Sequence, residues 1–534
     1  MSVRLKQKGD ILLNQGKTSE AIRFYQQAIL QNPDYAEAYN NLGIAFKYQD
    51  QLDEAIECYH AALKYRPDYA IACNNLANAI RDQGNLLEAE RLYLKALKLK
   101  PDFAEVFNNL GNVLMEQGEL GKAILQFRKA LQIKPDYAEA HNNLGNAFQE
   151  QRDFTTAIHS YQTALKLSPQ YHKALNNLGN AYQNLGQLNQ ANFCYQKAIE
   201  LRPDYSEAFN NAGNALVESA KIPEAIVAYK KALDTNPAYR VAHSNLLLAW
   251  QYQAGLDLAT HYVSAKKWWQ QHASNSVKLD ITKNPVTGQK RLKIGYISPD
   301  FRQHSVSFFF LPLLTNHDHS RVEVFCYSAV KFSDYLTHKI RILCDHWRPI
   351  IGLSDRAIAE QVRQDGIDIL VDLAGHTAEN RLPVFAYKPA PVQITWLGYP
   401  GTTGMPVMDF RLTDDIADPP GEADKYHSEA LVRLPHGFLC YGPPVDAPDV
   451  SKLPARQNGY ITFGSFNNLP KINPEVIALW SRLLDRVAGS RLLLKSKQFA
   501  DEYIRQRFLD LFSTCGIAAE RLTLLPRVDS TVGH

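Results

Sequence analysis

The sequence predicts an α-solenoid of repeated helix pairs followed by an α/β region, and two observations support this fold class. The first is a proline every 34 residues, at Pro33, Pro67, Pro101, Pro135, Pro169, Pro203 and Pro237. A strict period of this length is typical of stacked helix-turn-helix units, each burying its apolar face against its neighbours. The second is a change at Arg291 from helical periodicity to short apolar runs that alternate with helical segments. That alternation predicts parallel strands joined by helices.

Within each unit, small and aromatic residues recur at fixed positions. In the unit that begins at Ala36 these residues are Leu42, Gly43, Phe46, Ala55, Tyr59 and Ala62. Glycine and alanine let helices approach closely, the aromatic ring fills the remaining space, and the proline ends the second helix. The pattern resembles the tetratricopeptide repeat, so we expect a superhelix of seven repeats plus a capping helix over residues 2–253. A helix and linker should follow at 254–290, with Trp268 and Trp269 packing on the end of the solenoid.

Asparagines form two columns on the first helix of successive repeats. The first column contains Asn41, Asn75, Asn109, Asn143, Asn177, Asn211 and Asn245, and the second lies three residues further on, at Asn78, Asn112, Asn146, Asn180 and Asn214. Residues at i and i+3 share a helix face, so the columns form one polar stripe. Two interpretations stay open. The amides stabilise contacts between repeats, or Asn75, Asn109, Asn143, Asn177 and Asn211 bind the backbone of an extended acceptor peptide, for which an amide supplies both a donor and an acceptor.

Apolar runs after Arg291 predict a doubly wound α/β domain over residues 291–457. The predicted strands are 292–298, 322–328, 367–373 and 391–398, with helices at 333–344 and 355–364 between them. A second such domain begins at residue 458, with strands at 460–466, 491–496 and 521–527 and helices at 474–487 and 500–515. Because a doubly wound sheet usually has five or six strands, we expect this second Rossmann-like domain, residues 458–534, to be incomplete.

Polar and glycine-rich loops follow the predicted strands, where α/β proteins bind ligands. Asp300 and His304 follow the first strand, His376 follows the third, and the loop Gly398–Gly404 follows the fourth. In the second domain a strand ends before Asn468 and Lys471, and Asn473-Pro474 begins a helix. A helix amino terminus beside a lysine suits a phosphate group. The absence of the pattern G-x-x-x-x-G-K argues against a P-loop nucleotide triphosphatase.

Composition limits the other classes of function. The net charge of +3 arises from 58 basic and 55 acidic residues, which gives no global field for nucleic acid or an anionic membrane. No segment has the length and apolarity of a signal peptide or a membrane span, so we expect a cytoplasmic protein. The seven cysteines are scattered and never form a C-x-x-C pair, which predicts neither a zinc site nor a disulfide framework.

The repeats together with four later segments resemble the O-GlcNAc transferase family and its plant SPINDLY relatives. The segments are GYISPDFRQHS, DLAGHT, KPAPVQITWLGYPGTTG and FGSFNNLPKI, and the third is specific to that family. The resemblance implies a glycosyltransferase of the GT-B type, with two Rossmann-like domains that face each other across a cleft. It implies inverting, metal-independent transfer of GlcNAc from UDP-GlcNAc to Ser or Thr of protein acceptors held by the repeat groove, with no cofactor. A homodimer formed through the repeats is a further expectation.

The resemblance also implies roles for individual residues. His304 matches the family's active-site histidine, with Asp300 beside it, and Lys471 matches the lysine that contacts the donor diphosphate. Asn468 takes the place of a polar donor-binding side chain that is often Gln in the family. The loop with Gly398, Gly401, Thr402 and Thr403 matches a loop beside the sugar, and these four residues are expected to bind the donor.

Two alternatives to GlcNAc transfer stay open. One is transfer of fucose from GDP-fucose, as in SPINDLY. The other is a peptide-binding scaffold with an impaired catalytic part, which an incomplete second domain would favour. Members of the family continue beyond the segment LLPRV. Either the chain is a fragment of a longer product, or its donor domain lacks its second half, in which case we expect weak or absent transfer.

Overall fold

The computed structural model describes residues 1–280, 291–443 and 449–526. The chain divides into two units, Met1–Leu201 and Arg202–His534. The described part of the first unit is entirely helical, and the second contains further helices followed by two parallel sheets. The predicted fold class, a helical repeat solenoid followed by a parallel α/β region, is confirmed.

Twelve helices of 13 or 14 residues make up the first unit. They are α1 (Ser2–Asn14), α2 (Thr18–Gln31), α3 (Ala36–Tyr48), α4 (Leu52–Tyr65), α5 (Ala70–Asp82), α6 (Leu86–Leu99), α7 (Ala104–Glu116), α8 (Leu120–Ile133), α9 (Ala138–Glu150), α10 (Phe154–Leu167), α11 (His172–Asn184) and α12 (Leu188–Leu201). The second unit begins with α13 (Ser206–Glu218), α14 (Ile222–Thr235), α15 (Arg240–Trp250) and α16 (Leu258–His272).

A left-handed residue ends the first helix of each repeat. The glycines Gly16, Gly84, Gly118 and Gly186 have φ between 75° and 85°. In the other repeats the same position is held by Asp50, Arg152 and Ala220, with φ between 54° and 64°. Residues with a Cβ adopt this region at a cost, so the turn geometry is imposed by packing of the repeat rather than by glycine alone.

The small residues of the repeat are small because an aromatic ring lies against them. A Cβ on Gly145 would lie 2.6 Å from Cε1 of Tyr161, and the same clash recurs between Gly43 and Tyr59. Tyr161 has no exposed surface. Each tyrosine therefore packs directly on the backbone of the first helix, which explains the Leu-Gly pair in the repeat.

We expect Gly145→Ala to destabilise the solenoid by about 1–3 kcal/mol, because the added methyl forces the Tyr161 ring out of its site. The check is a lower midpoint of helix loss on heating, followed by circular dichroism. The matched control is Gly121→Ala in α8, where a Cβ would meet nothing within 4 Å. The control should keep or raise the midpoint. An equal loss of stability in both variants would contradict this packing.

Helices α15 and α16 share a hydrophobic core with the α/β region. Leu247 of α15 and Ala265 and Trp268 of α16 lie in the same buried cluster as Phe325 and Leu370 of the sheet. Trp268 is fully buried, and its ring lies 4.8 Å from that of His376. Trp268 therefore packs with the capping helix at the end of the solenoid, as predicted, and the same ring is also buried against the α/β domain.

The larger sheet has seven strands, all parallel, in the order β3-β2-β1-β4-β5-β6-β7. They are β1 (Leu292–Ser298), β2 (Val322–Ser328), β3 (His346–Pro349), β4 (Ile369–Asp372), β5 (Val392–Thr395), β6 (Phe410–Thr413) and β7 (Ala430–Arg433). The intervening helices are α17 (Ser305–Thr315), α18 (Tyr335–Leu343), α19 (Asp355–Asp365) and α20 (Leu382–Ala386). The chain runs outward from β1 to β3 and then returns to lay β4 on the other side of β1.

In the part of the chain that the structure describes, the smaller sheet has three parallel strands in the order β10-β9-β8. A short helix, α21 (Ala455–Asn458), precedes β8 (Thr462–Ser465), which is followed by α22 (Pro474–Arg486), β9 (Arg491–Lys495), α23 (Glu502–Thr514) and β10 (Leu522–Leu525). All three predicted strands and both predicted helices are present. Of the predicted linker, residues 281–290 lie outside the described residues, as does Arg527 at the end of the last predicted strand.

The helical segments that follow β9 contact the end of α13 and the turn between α13 and α14. Arg507 of α23 donates to the carbonyl of Ser219 at 2.5 Å, and Lys497 forms an ion pair of 2.8 Å with Glu218. The hydroxyl of Tyr503 accepts from Nζ of Lys221 at 3.2 Å. The last repeat helices therefore contact both α/β parts of the second unit.

None of the helices in the described ranges combines the length and the apolar character needed to cross a membrane. The cysteines are free thiols. Five are buried, Cys440 is half-buried and Cys515 is exposed.

Candidate active site

The carboxyl ends of β1 and β4 meet where the strand order reverses. Ile297 of β1 is in register with Asp372 of β4, while β2 lies on the other side of β1. In an open α/β sheet, ligands bind in the crevice outside the strand ends at this switch point. The loops after β1, β4 and β5 therefore line the candidate site, as the sequence predicted for Asp300, His304 and Gly398.

The loop after β1 is tightly folded around Asp300. The Ser298 hydroxyl accepts from the backbone N–H of Asp300 at 2.9 Å, and the Ser307 hydroxyl donates to its carbonyl at 2.5 Å. A second anchor comes from α18, whose capping residue Asp334 accepts from the N–H of Gln303 at 2.5 Å. These bonds fix the backbone that carries His304.

His304 is the capping residue of α17. Its Nδ1 accepts from the N–H of Val306 at 3.3 Å and lies 3.6 Å from Oδ2 of Asp300. The imidazole is 38% exposed, whereas the Asp300 side chain is 8% exposed. The structure thus brings the two predicted catalytic residues together, with the histidine facing outward from a buried carboxylate.

Burial shifts both groups toward their neutral forms. It raises the pKa of Asp300, and the nearby His304 and Arg302 partly offset that rise. Burial also lowers the pKa of His304, and the Asp300 carboxylate partly offsets that fall. His304 is therefore neutral at pH 7 and has one nitrogen lone pair for a proton.

His304 has two neutral tautomers, which differ in whether the proton is on Nε2 or on Nδ1. In one, Nδ1 accepts from Val306 N–H and the proton is on Nε2. In the other, Nδ1–H points at Asp300 and Nε2 can take a proton from a hydroxyl group. The contact of 3.3 Å with Val306 is long for a hydrogen bond, and catalytic contacts often shorten only when substrate binds. The arrangement can therefore accept a proton at Nε2 with Asp300 orienting the ring.

The loop after β4 contains a buried carboxylate that the sequence did not identify. Asp372 accepts from the N–H groups of Ala374 and Gly375 and from the hydroxyl of Thr395, at 2.8–3.1 Å. Burial raises its pKa to about 6. Its position as the last residue of β4 was the available signal. Its three donors tie the ends of β4 and β5 together.

His376 has a structural role. Its Nε2–H donates to the carbonyl of Thr403 at 2.9 Å, and the hydroxyl of Ser244 in α15 lies 3.3 Å from Nδ1. The ring is fully buried, and burial lowers its pKa to about 3. The side chain joins α15 to two loops and does not face the crevice.

The loop after β5 corrects part of the predicted donor site. Thr402 and Thr403 are at most 1% exposed. The Thr402 hydroxyl donates to Glu429 at 2.7 Å, the Thr403 N–H donates to the same carboxylate at 2.7 Å, and the Thr403 hydroxyl also contacts it. Gly401 is buried against Gln251 and His261. These three residues anchor the loop from inside, so the prediction that they bind the donor directly is wrong.

The beginning of the same loop faces outward. Gly398 is half-buried, and a Cβ there would lie 2.1 Å from the carbonyl oxygen of Leu373. Leu397 has φ of 77°, a conformation that is rare for a bulky residue and that clusters at ligand sites. Sequence reasoning missed Leu397, because nothing in the residue type indicates a strained backbone. Donor binding by Gly398 stays a prediction.

The predicted donor residues of the second sheet lie on the loop after β8. Asn468 precedes a short helical turn, Leu469–Lys471, and its side chain lies beside Tyr252, near the end of α15. Lys471 is exposed, and within residues 1–280, 291–443 and 449–526 its ammonium has no hydrogen bond or ion pair. Asn473 caps α22 by accepting from the N–H of Val476 at 2.9 Å. An available ammonium therefore lies just before a capped helix start, as the sequence predicted.

The first asparagine column connects neighbouring repeats. Five of its amides donate to the asparagine 35 residues earlier, namely Asn75 to Asn40, Asn109 to Asn74, Asn143 to Asn108, Asn177 to Asn142 and Asn245 to Asn210, at 2.9–3.0 Å. Asn177 also donates to Asn146 at 3.0 Å, which uses both of its N–H groups. The structural interpretation of this column is therefore confirmed. Acceptor binding by Asn75, Asn109, Asn143, Asn177 and Asn211 stays a prediction.

The second column is held by the repeat tyrosines. The hydroxyls of Tyr93, Tyr161, Tyr195 and Tyr229 donate to the Oδ1 atoms of Asn78, Asn146, Asn180 and Asn214 at 2.5–2.8 Å. This hydrogen bond orients each of these four amides, with Oδ1 toward the tyrosine hydroxyl and the NH₂ group away from the core. The NH₂ group, rather than the oxygen, is the part left for a ligand.

Comparisons with known proteins agree with this architecture. The profile for Glycosyl transferase family 41 matches residues 272–442. Profiles for the TPR repeat match 9–50, 77–118 and 111–152, and those for the tetratricopeptide repeat match 36–69, 138–171 and 172–205.

Individual relatives carry related names. The chain is 49% identical over 253 residues to the Arabidopsis thaliana "Probable UDP-N-acetylglucosamine--peptide N-acetylglucosaminyltransferase SPINDLY", a match that covers 47% of this chain and 27% of that protein. The UDP-N-acetylglucosamine--peptide N-acetylglucosaminyltransferase of Caenorhabditis elegans is 34% identical over 203 residues, 37% of this chain and 17% of that protein. The matches thus span about a quarter or less of these relatives.

A solved structure matches over a larger share. A mutant of the O-GlcNAc transferase of Thermobaculum terrenum superposes with a TM-score of 0.69 and is 35% identical. The match covers 73% of this chain and 74% of that one.

Proposed function

The chain belongs to glycosyl transferase family 41, and from this premise we propose that it is a protein O-glycosyltransferase that transfers GlcNAc from UDP-GlcNAc to Ser or Thr hydroxyls. The observation that carries the proposal is the Asp300–His304 pair at the switch point of the seven-stranded sheet. The names of the Arabidopsis and C. elegans relatives support this choice of donor.

His304 would assist the acceptor hydroxyl. The acceptor oxygen attacks C1 of the sugar while the bond from C1 to the diphosphate oxygen breaks, which inverts the configuration at C1. The hydroxyl proton passes to Nε2 of His304, and Asp300 stabilises the imidazolium that forms. The neutral, outward-facing imidazole described above suits this role.

Lys471 and the amino end of α22 would hold the leaving diphosphate. The partial positive charge of a helix amino terminus and an ammonium both favour negative charge that develops on the leaving oxygen. This arrangement supplies the stabilisation without a metal ion, so we propose a metal-independent reaction with no cofactor. Asn468, next to Lys471, would add a polar contact to the nucleotide.

The repeats would hold the protein acceptor. Amide NH₂ groups of the second asparagine column are oriented by the tyrosine hydroxyls and could bind successive carbonyls of an extended peptide, each bond contributing about 0.5–1.5 kcal/mol. Such binding depends on the peptide backbone and tolerates many sequences. A homodimer through the repeats stays a prediction.

The Asp300→Asn variant tests the electrostatics of the pair through the pH dependence of kcat/KM. Above its pKa, His304 is neutral and can accept a proton, so the rate should rise with pH through a pKa below 6.5. The Asp300 carboxylate raises the pKa of His304, and its removal should move the acid limb to lower pH.

The control for this prediction is Asp345→Asn. Asp345 lies 3.1 Å from Nδ1 of His319, but both precede strands and so lie at the amino edge of the sheet. This variant should leave the acid limb in place. An acid limb that moves upward in Asp300→Asn would contradict the assigned interaction.

The proposed activity is tested by incubating the chain with cell-extract proteins and labelled UDP-GlcNAc or GDP-fucose in separate reactions. Label transferred from UDP-GlcNAc to protein is the expected result. Label from GDP-fucose alone would replace the proposed sugar and keep the transfer reaction. Label from neither donor would refute the enzyme and favour a peptide-binding scaffold.

A further inference from the structure

The loop after β5 is held from two sides, and we propose that Tyr399 and Glu429 are positioning residues through which α15 and α16 set the crevice-facing segment Leu397–Gly398. The inference rests on the proposed function, because it assigns this segment to the sugar of the donor. It concerns residues that do not face the crevice themselves.

Tyr399 reaches from the loop into the helices. Its hydroxyl lies 2.7 Å from Nε2 of His261 in α16 and 3.3 Å from the carbonyl of Leu247 in α15. The Gln251 amide nitrogen lies 2.9 Å from the same His261 nitrogen. Tyr399 is 2% exposed. A shift of either helix therefore moves the tyrosine next to Gly398.

The sheet holds the same loop through one buried arginine. Arg411 of β6, 2% exposed, donates to the carbonyls of Tyr399 and Pro400 at 2.8 and 2.9 Å and to that of Gly401 at 3.3 Å. Its Nε pairs with Asp418 at 3.2 Å. Three successive carbonyls bound by one guanidinium leave this stretch of backbone little freedom.

Glu429, directly before β7, holds the end of the same loop. Its carboxylate accepts from Thr402 and Thr403 as described, and it is 5% exposed. A buried carboxylate is stable only if its oxygens are bonded, and here hydroxyl and backbone donors of the loop satisfy them. Removing the charge frees these donors and releases the end of the loop.

The loop after β5 is in close steric contact with helices α15 and α16. A Cβ on Gly404, which has φ of 74°, would lie 2.2 Å from the backbone of Ala265 in α16. A Cβ on Gly401 would lie 2.7 Å from Gln251 and 2.8 Å from His261. The helices therefore contact both the middle and the end of the loop, while the strained Leu397 lies at its beginning, packed against the hydrophobic core beside β1.

Helices α15 and α16, which end the repeats, are therefore connected to the crevice through this loop. Leu397 keeps its left-handed conformation only while the rest of the loop is fixed, because strain of this kind persists where the surroundings impose it. Loosening Tyr399 or Glu429 should let Leu397 relax and move Gly398 away from the sugar.

The test uses Tyr399→Phe and Glu429→Gln in the full chain. The control is Tyr327→Phe, which removes a buried hydroxyl bonded to Asp365 at 2.8 Å in the same domain, far along the strand order from β5. Amide exchange of the segment 396–404 and the ratio of affinities for UDP-GlcNAc and UDP are measured in each. The ratio isolates the contribution of the sugar.

We expect about a tenfold faster exchange of segment 396–404 in both variants and about a tenfold smaller preference for UDP-GlcNAc over UDP, with UDP affinity and acceptor KM unchanged. The control should change neither quantity. Unchanged exchange in both variants would overturn the proposal, as would faster exchange with an unchanged sugar preference. A wild-type chain that neither binds nor uses a UDP-sugar would refute the proposed function, and the exchange rates would then decide the connection on their own.

Discussion

His304→Ala is expected to reduce kcat for sugar transfer by about 10²–10⁴, the usual contribution of a general acid or base. The substitution removes the group at the switch point that can take the hydroxyl proton. It removes one charged partner of the buried Asp300 and leaves Arg302 at 3.6 Å, and it does not alter the core of the sheet, because the imidazole is 38% exposed. Donor affinity should change little, since the diphosphate is assigned to Lys471. Initial rates at saturating donor and peptide, together with UDP binding by calorimetry, measure both quantities.

The matched control is His319→Ala. His319 also lies beside a carboxylate, at 3.1 Å from Asp345, but it precedes β2 and therefore lies at the amino edge of the sheet. Its replacement should leave kcat within about twofold. Equal rates in His304→Ala and the wild type would contradict the active-site assignment and would favour a scaffold role for the chain.

Lys471→Ala is expected to weaken UDP binding by about 10- to 100-fold. A hydrogen bond to a charged group contributes about 1.5–3 kcal/mol, and each 1.4 kcal/mol is a factor of ten in Kd. Because the ammonium of Lys471 bonds to no side chain of the described residues, the loss of this ammonium should not disturb the fold. Calorimetric titration of UDP into the purified variant measures the change.

Arg486→Ala controls for the loss of a positive charge from the same helix. Arg486 is the last residue of α22, whereas Lys471 precedes its first residue. A diphosphate bound at the amino end should be indifferent to a charge about 20 Å away, the length of 13 residues of helix. Comparable losses in the two variants would indicate a general electrostatic effect rather than a phosphate site.

The strands that the sequence predicted best are those with unbroken β-branched and aromatic runs. The bounds of β1 and β2 agree with the predicted 292–298 and 322–328. The strands that it missed have four residues each and carry polar groups. β3 ends in Pro349, and β6 has the buried Arg411 in place of an apolar residue. A strand whose core position holds an arginine cannot be recognised from hydrophobic pattern, because the pattern does not show that backbone carbonyls of the preceding loop satisfy the guanidinium.

The site shows the same limit. Asp300 and His304 are four residues apart on one loop, so the sequence could place them together. Glu429 is 26 residues from Thr403, and only the folded chain shows that it buries the threonines that were expected to face the donor. A Gly- and Thr-rich loop has the composition of an exposed turn, yet here its threonines point inward.

The contacts between repeats also could not be predicted from the sequence. The 34-residue period predicted that the asparagines align in columns, but it could not indicate whether an amide faces a ligand or the neighbouring repeat. The bonds 35 residues apart, such as Asn109 to Asn74, connect residues that differ by one position within the repeat. That offset follows from how the helices stack, which the period alone does not determine.

A crystal structure of the chain with UDP-GlcNAc tests the central claim most directly. The account predicts the diphosphate within hydrogen-bonding distance of Nζ of Lys471 and of the amino end of α22, with the sugar against Leu397 and Gly398 and its C1 open to the side of His304. A nucleotide-sugar bound away from the carboxyl edge of the seven-stranded sheet, or with its diphosphate out of reach of Lys471, would contradict the account.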